Sequence, residues 1–246
     1  MPHMIDITED AIFGGRVRIR QPARGYRFNL DTILLAAAVE CADGARLLEA
    51  GCGVGAATLA VAARSENTRL TGLERDQNIA SIARENVASN AMTARVEIVT
   101  GDVLDRGALS GVFDGVFFNP PFDEAGEGRA PAHARVGAHI ADAPISAWIA
   151  ALADRLRGGA SLTLIQRAHK LPQILAALDG RLGGVEVWPV HPFAAAPAKR
   201  VLVRARKGAR APMRLLAPLV LHDASGAKYT PQIEALTQGA GLVWPS

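Results

Sequence analysis

The sequence predicts an α/β fold, in which a doubly wound, mostly parallel sheet has helices on both faces and one antiparallel strand. Two observations lead to this prediction. From Arg46 onward, seven short apolar runs alternate with amphipathic segments, which is the pattern of parallel strands joined by crossover helices. The last two runs are separated only by a proline-rich loop, residues 191–198, which has no room for a crossover helix, so these two strands should pair antiparallel.

Each predicted element follows from its apolar pattern and from the turn residues that bound it. The seven predicted strands cover residues 46–50, 69–74, 96–100, 113–118, 160–166, 184–190 and 200–206. The helices between them are predicted near residues 56–64, 77–90, 145–156 and 171–178.

The residues before the sheet are predicted to form a small flanking part, residues 1–45. Short apolar alternations surround Gly14-Gly15 and indicate a β-hairpin. Asp31 then has the position of an N-cap for a buried helix over residues 32–40. We expect this part to flank a site of the central domain, residues 46–206.

The residues after the sheet, 207–246, are predicted to form a second small addition. An apolar run over residues 214–221 indicates a strand, and a turn follows it. Thr230-Pro231 is typical of an N-cap followed by a first-turn proline, so a short helix should run from there to Thr237.

The composition narrows the class of protein. The chain has 246 residues, of which 49% are hydrophobic, enough for a large core. It has no apolar run near the ~20 residues of a membrane span and no signal-peptide pattern, so a cytoplasmic protein without a membrane partner is expected. Two cysteines, Cys41 and Cys52, and six scattered histidines show no metal-ligand spacing, so no metal is expected.

The distribution of charge indicates a phosphate-bearing partner. The net charge is only +3, but residues 16–27 and 199–214 are two basic runs without a single acid. The candidate RNA contacts in the second run are Lys199, Arg200, Arg204 and Arg206. The alternative is a solvated face, because arginines alternate there with apolar residues as on a half-buried strand.

A glycine-rich loop follows the first strand of the sheet. Glu49-Ala50-Gly51-Cys52-Gly53-Val54-Gly55 opens a predicted helix, and glycines allow the backbone to approach a ligand with positive φ. The string also fits the dinucleotide-binding pattern, so a nicotinamide enzyme stays open from this loop alone.

Acidic residues end the next two strands. Glu74 lies 23 residues after Gly51, near the ~20-residue offset at which an acid binds ribose hydroxyls. Asp102 follows the third strand, where it could accept a hydrogen bond from a cofactor's adenine amino group. The alternative for Asp102 is an N-cap or an Asx-turn.

Glu49 favours S-adenosylmethionine as the cofactor. This molecule has a cationic sulfonium and an α-ammonium group but no pyrophosphate. An acid beside the glycine loop suits such a cofactor and would repel the phosphates of a dinucleotide.

The tetrapeptide Asn119-Pro120-Pro121-Phe122 follows a predicted buried strand and therefore lies at its carboxyl end. Two prolines hold Asn119 in an extended conformation. The Asn119 side-chain oxygen and the Pro120 carbonyl can both accept from one planar NH2 group, and Phe122 offers a stacking face. An exocyclic amine fits this pattern, although N-P and P-P also occur in ordinary turns.

Together these features resemble the class I amino-group methyltransferases that use S-adenosylmethionine. The shared features are the glycine loop with Glu49, Glu74, the pattern Ala83-x-x-Asn86-x-x-x-Asn90, Asp102, and Asn119-Pro-Pro-Phe. The segment Gly25-Tyr26-Arg27-Phe28-Asn29-Leu30-Asp31-Thr32, with Tyr229-Thr230-Pro231, resembles more narrowly the bacterial tRNA(Val) adenine-37 N6-methyltransferases, and the match spans residues 10–238.

The resemblance implies a Rossmann-like class I methyltransferase fold and N6-methylation of an adenine in the tRNA anticodon loop. It implies catalysis by Asn119, Pro120, Pro121 and Phe122, with Phe122 where many relatives have Tyr. It implies cofactor binding by Arg27, Asp31, Glu49, Gly51, Gly53, Gly55, Glu74, Asp102 and Asn119. Phe122 and Arg135, in the loop 123–144, are further candidate RNA contacts.

Three other functions fit part of the pattern. The same acceptor pair would suit a glutamine amide, as in methyltransferases that act on release factors, although those usually have a larger N-terminal helical domain. A protein that binds S-adenosylmethionine or RNA without catalysis is a second alternative, and a nicotinamide oxidoreductase is a third. The sequence leaves the oligomeric state open.

Overall fold

The computed structural model describes residues 6–25, 27–120 and 143–245. Its strands are β1 (Ile7–Ile12), β2 (Val17–Pro22), β3 (Arg46–Ala50), β4 (Arg69–Glu74), β5 (Val96–Thr100), β6 (Phe113–Phe118), β7 (Leu156–Arg167), β8 (Gly183–His191), β9 (Arg200–Arg206), β10 (Arg214–Leu215) and β11 (Leu219–Val220). Its helices are α1 (Leu30–Ala38), α2 (Ala56–Arg64), α3 (Gln77–Ser89), α4 (Ile145–Asp154), α5 (Leu171–Leu178) and α6 (Pro231–Thr237).

One large sheet organises the molecule, and it confirms the predicted fold class. Its strand order is β10-β8-β9-β7-β6-β3-β4-β5, and β11 pairs further along β8. All neighbours are parallel except β9, which runs antiparallel to both β7 and β8. The carboxyl ends of β3, β4, β5 and β6 therefore meet at one edge, where open α/β sheets bind ligands.

The central strands are apolar on both faces because helices cover both sides of the sheet. Successive residues point to opposite faces, so Leu47 and Phe117 pack in one core cluster while Leu48 and Phe118 pack in the other. The first cluster lies with α1, α2 and α3, and the second lies with α4 and α5.

Both flanking parts contribute to the first of these cores. Ile19 of the hairpin β1–β2 and Ile233 and Trp244 near the C-terminus are buried there. The division of the chain at residues 45 and 206 stays a prediction, since these outer parts share their apolar core with the central one.

Two local predictions were wrong. Helix α1 begins at Leu30, and its N-cap is Asn29, whose side chain accepts from the Asp31 amide at 2.8 Å. Asp31 lies inside the first turn instead. Residues 214–221 do not form one strand: they form the short strands β10 and β11, each parallel to β8. Pairing with an existing edge decides this arrangement, and local apolar pattern does not reveal it.

Candidate active site

The glycine loop joins β3 to α2 in a conformation that requires glycine. Gly51, Gly53 and Gly55 have φ values of +67°, +55° and +82°. A Cβ atom on Gly51 would also lie 2.9 Å from the Trp148 ring, so the loop has no room for a side chain there. Gly55 is the N-cap of α2 and has no side chain to cap the first turn, in which the Thr58 amide bonds the Glu49 carboxyl instead.

Glu49 is a buried carboxyl beside this loop. Its side chain lies on β3, and the residue is 4% exposed. The Thr58 hydroxyl, on α2, donates a hydrogen bond to it. Burial raises the pKa of Glu49 to about 8, the nearby Glu74 charge adds to the increase, and the Thr58 hydrogen bond opposes it. The ligand-free protein therefore holds this carboxyl largely protonated at neutral pH.

Glu74 ends β4 and supports the glycine loop. One of its carboxylate oxygens accepts from the Gly53 amide at 2.9 Å, and the other accepts from the Asp76 amide at 2.9 Å. A carboxylate has about four lone-pair sites, so these two bonds leave acceptor capacity for hydroxyl groups. Glu74 thus connects the ends of β3 and β4.

Asp102 follows β5 in an Asx-turn, the alternative that the sequence had left open. Its Oδ1 accepts from the Leu104 amide at 2.8 Å, and the side chain is exposed. The turn fixes the direction of the carboxylate at the same edge of the sheet as Glu49 and Glu74.

Asn119 directly follows β6 and lies in the same pocket as Glu49. Its Oδ1 atom is buried, and Pro120 is buried next to it. The pocket is lined by residues of three origins, the N-terminal part, the glycine loop with α2, and the end of β6: Phe28, Thr32, Leu35, Glu49, Gly51, Cys52, Val54, Ala56, Ala57 and Asn119. Pro121, Phe122 and Arg135 lie outside the described residues.

Three residues that line this pocket, Phe28, Thr32 and Leu35, were not among the predicted site residues. They come from α1 and the segment before it. The available signal was the N-terminal segment that resembles the tRNA methyltransferases, which contains Phe28 and Thr32.

Asparagines on α3 hold the hairpin against the glycine loop. Asn86 accepts from the Arg20 amide at 2.8 Å and donates to the carbonyls of Arg20 and Val54 at 2.8 and 2.9 Å. Asn90, one helical turn later, pairs in the same way with the backbone of Arg18. The two amides therefore take the place of a neighbouring strand along β2, and Asn86 fixes the loop carbonyl of Val54.

Arg27 and Asp31 do not line this pocket. The Arg27 guanidinium binds Asp10 at 2.6 Å and Thr8 at 2.7 Å, which ties it to the hairpin. Asp31 pairs with Arg200 at 2.8 Å. Their predicted contacts with the cofactor stay predictions.

The expectation that Arg204 contacts RNA was wrong. β9 lies between two strands and is buried on both faces, so its arginines are not on a half-buried strand either. The Arg204 side chain is 6% exposed, binds Glu40 and Glu186, and lies 4.4 Å from the centre of the Trp244 ring. Buried charge needs such partners, and a cation held in this way is not available to phosphate.

The other basic residues of this run are more accessible. Arg206 is partly exposed and binds Glu40 at 3.1 Å, and Arg200 binds Asp31. Lys199 is exposed at the start of β9. For these three, contact with RNA stays a prediction.

Comparisons with known proteins agree with this geometry. A model of the family described as Methyltransferase small domain matches residues 27–187. The chain belongs to this family. A protein of Aeromonas salmonicida named tRNA1(Val) (adenine(37)-N6)-methyltransferase is 31% identical over 200 residues, which cover 80% of this chain and 83% of that protein.

This methyltransferase also resembles a relative and two solved structures. A Porphyromonas gingivalis W83 protein of the same name as the Aeromonas one is 29% identical over 89% of this chain and 90% of its own length. An Agrobacterium tumefaciens structure described as a predicted O-methyltransferase has a TM-score of 0.74 and 32% identity, and it covers 86% of this chain and 98% of its own. A Thermus thermophilus 16S rRNA N2 G1207 methyltransferase shares the fold, with a TM-score of 0.59 and 20% identity. The match covers 84% of this chain and 51% of the Thermus chain. The methyltransferase resemblance read from the sequence is thus confirmed, and a nicotinamide oxidoreductase is not supported.

Two further findings concern the described residues alone. Within residues 6–25, 27–120 and 143–245, no cluster of histidine, cysteine and acidic side chains is arranged to hold a metal ion. In the same ranges, none of the helices has the length and apolar character needed to cross a membrane.

Proposed function

We propose that this methyltransferase transfers a methyl group from S-adenosylmethionine to the N6 amine of an adenine in a tRNA anticodon loop. The names of the Aeromonas and Porphyromonas relatives support tRNA(Val) and adenine 37 as the substrate. The observation that carries the proposal is that Asn119, Glu49 and Gly51 line the same pocket. An amide acceptor and a buried carboxyl there suit a neutral amine and a cationic cofactor.

The site residues fit S-adenosylmethionine by the chemistry of their donors and acceptors. Glu49 matches a cationic group, and the positive N-terminal end of α2, where Gly55 offers no side-chain cap, matches a carboxylate. We assign the ribose hydroxyls to Glu74 and the adenine amine to Asp102, with Gly51, Gly53 and Gly55 providing close backbone approach. When bound, this cofactor supplies an electrophilic methyl group on a sulfonium.

The chain's own part in the reaction is to orient the amine. The lone pair of an adenine N6 atom is delocalised into the ring, so the free amine is a weak nucleophile. Asn119 Oδ1 and the Pro120 carbonyl can accept its two hydrogens and favour a pyramidal nitrogen. No general base is needed before attack, because the product ammonium is acidic and loses its proton afterwards. Pro121 and Phe122 complete the motif in sequence, and we assign base stacking to Phe122.

Replacement of Asn119 tests this role. Asn119→Ala should lower kcat by about 100- to 1,000-fold, the usual loss when one preorganised hydrogen-bonding group is removed from an active site. Cofactor affinity, measured by calorimetry with S-adenosylhomocysteine, should stay within a few-fold. Asn78→Ala, on the exposed surface of α3, is the matched control. A collapse of cofactor affinity in Asn119→Ala would contradict the assigned role.

The identity of the methylated atom needs a separate experiment. The Agrobacterium structure is described as a predicted O-methyltransferase, so a hydroxyl is one alternative acceptor, and the glutamine amide of a protein would also fit Asn119 and Pro120. Mass spectrometry of tRNA nucleosides from a strain lacking the protein should show loss of N6-methyladenosine, restored by the wild type and not by Asn119→Ala. Unchanged tRNA nucleosides, with a methyl group lost from a protein glutamine or a hydroxyl instead, would overturn the proposal.

A further inference from the structure

Three aromatic rings form a row outside the cofactor pocket. The centre of the Phe193 ring lies 5.3 Å from that of His222, and His222 lies 5.5 Å from Tyr229 in a stacked arrangement with a 21° angle between the rings. Phe193, at the outer end, is 53% exposed. A large apolar ring at the open end of a row offers a face on which another flat group can stack.

The backbone holds this row in place. The His222 amide donates to the Pro192 carbonyl at 2.9 Å, which joins the loop after β8 to the loop after β11. The Thr230 amide donates to the Leu221 carbonyl at 2.9 Å, and the Thr230 hydroxyl donates to the Val220 carbonyl at 2.9 Å. His222 Nδ1 also contacts the Lys228 carbonyl at 2.5 Å. These bonds fix the His222 ring and the backbone beside Phe193 and Tyr229, which limits the conformational entropy lost when a ligand binds.

The row lies at the same edge of the sheet as the active site. β8 runs parallel to β7, β6 and β3, so the loop that carries Phe193 leaves the sheet at the edge where Asn119 and the glycine loop lie. A groove lined by Phe28, Asn29, Ile33, Lys228 and Tyr229 adjoins the cofactor pocket, because Phe28 lines both.

The charges near the row suit a nucleotide. The Lys228 ammonium lies 5.1 Å from the centre of the Tyr229 ring, and Lys199 is exposed at the base of the loop that carries Phe193. Of the acids nearby, Asp223 accepts from the Ser225 amide within its own turn, and Glu234 lines the groove together with Lys228 and Tyr229. Aromatic faces and ammonium groups along one surface suit the bases and the phosphates of a single-stranded RNA loop.

We propose that Phe193, His222 and Tyr229 form a platform on which an unpaired base next to the target adenine stacks, with Lys228, beside Tyr229, at a phosphate of the same RNA loop. This inference rests on the proposed function and adds how the RNA loop is held. An adenine that leaves its loop to reach Asn119 exposes its neighbours, and a stacking surface compensates for the contacts they lose. Stacking tolerates different bases, so the platform should position the loop more than select its sequence.

The test uses a synthetic anticodon stem-loop of tRNA(Val) with wild type and Phe193 variants. Phe193→Ala should weaken RNA binding by about 5- to 150-fold, the range for loss of one base–aromatic stack. Phe193→Trp should bind like wild type, and Phe193→Leu should fall between them, because leucine is apolar but has no flat face. Met213→Ala is the matched control, since Met213 is 55% exposed and lies near the opposite end of β8.

A set of stem-loops, each with one abasic loop position, identifies the stacked base. When the abasic position is that of the stacked base, wild type and Phe193→Ala should bind the stem-loop with affinities within about twofold of each other. The RNA then has no base that could stack on Phe193, so removing the ring has no further effect. Thermal stabilisation by S-adenosylhomocysteine should be the same in all variants, which shows intact folding and an intact cofactor site.

The outcomes separate the two proposals. If wild type methylates the stem-loop and Phe193→Ala binds it equally well, the platform is wrong and the enzymatic function stands. If wild type binds S-adenosylhomocysteine but neither binds nor methylates the RNA, both proposals are wrong. If Phe193→Leu binds as well as Phe193→Trp while Phe193→Ala binds more weakly, an apolar contact and not stacking is responsible, and the platform is again wrong.

Discussion

Glu49 and Glu186 are both buried carboxyl groups on strands of one sheet, and their surroundings differ. Glu186, on β8, is bound by Arg204 at 2.7 Å and by Arg214 at 3.2 Å. Glu49, on β3, is bound by the hydroxyl and the backbone amide of Thr58, neither of which is charged, and burial raises its pKa to about 8. The first acid has its counter-charge within the chain, whereas the second is kept in apolar surroundings beside a pocket.

This difference separates structural charge from functional charge. A buried carboxyl with arginine partners contributes to the fold and has no need of a ligand. A carboxyl whose pKa is raised by burial lacks a counter-charge, so a cation that enters the pocket strongly stabilises its charged form. Acids with perturbed pKa values in clefts therefore indicate binding sites. The experiments below test whether the two acids divide in this way.

Breaking the structural pair should have the largest effect. Arg204→Ala leaves Glu186 and Glu40 without their shared partner and removes the contact with Trp244. The free energy of unfolding, measured by urea denaturation, should fall by about 3–5 kcal/mol. Arg106→Ala is the control, because its ion pair with Asp154 is 90% exposed on the arginine side and should contribute at most about 1 kcal/mol. Equal effects of the two variants would show that burial does not distinguish them.

Changing the functional acid should affect binding and not folding. Glu49→Gln keeps an acceptor for Thr58 and removes the charge, so cofactor affinity should fall by about 10- to 150-fold, the range for a hydrogen bond to a charged group. Its unfolding midpoint should change little. Glu186→Gln should show the reverse pattern, with lower stability and unchanged affinity. Calorimetry with S-adenosylhomocysteine and urea denaturation of both variants provide the comparison.

The raised pKa of Glu49 predicts a pH dependence of binding. A cationic ligand prefers the carboxylate, and below pH 8 the free protein holds the protonated form, so binding must release a proton. Affinity should therefore rise with pH between 6 and 7.5, by up to about tenfold per unit. Calorimetry in two buffers of different ionisation enthalpy measures the proton directly. In Glu49→Gln the affinity should no longer depend on pH in this range. If the pH dependence persists in this variant, another group releases the proton.

Removing one exposed cation should have the smallest effect. Lys199→Gln should weaken stem-loop binding a few-fold for every sequence and reduce the slope of log affinity against log salt by about 1. Arg157→Gln is the matched control, because Arg157 binds Asp114 at the opposite, amino-terminal end of β7. An unchanged slope in Lys199→Gln would remove Lys199 from the RNA interface.

Much of this protein was determined by local sequence pattern. The apolar runs specified the seven main strands, the glycines specified the positive-φ loop, and Asn119-Pro120 marked the end of β6. These features depend on residues within one or two turns of each other, so the sequence alone reveals them.

Only the tertiary structure decided how distant residues pair. Arg204 is buried beside Glu186 and also meets Glu40 from 164 positions away, so a predicted RNA contact is held in ion pairs within the chain. Phe28 reaches the pocket beside Glu49, and Phe193 joins His222 and Tyr229 in one row, by the same long-range folding. Charge and aromaticity are local properties of the chain, but burial and partnership depend on which strands become neighbours, and strand order is set by the packing of the whole sheet.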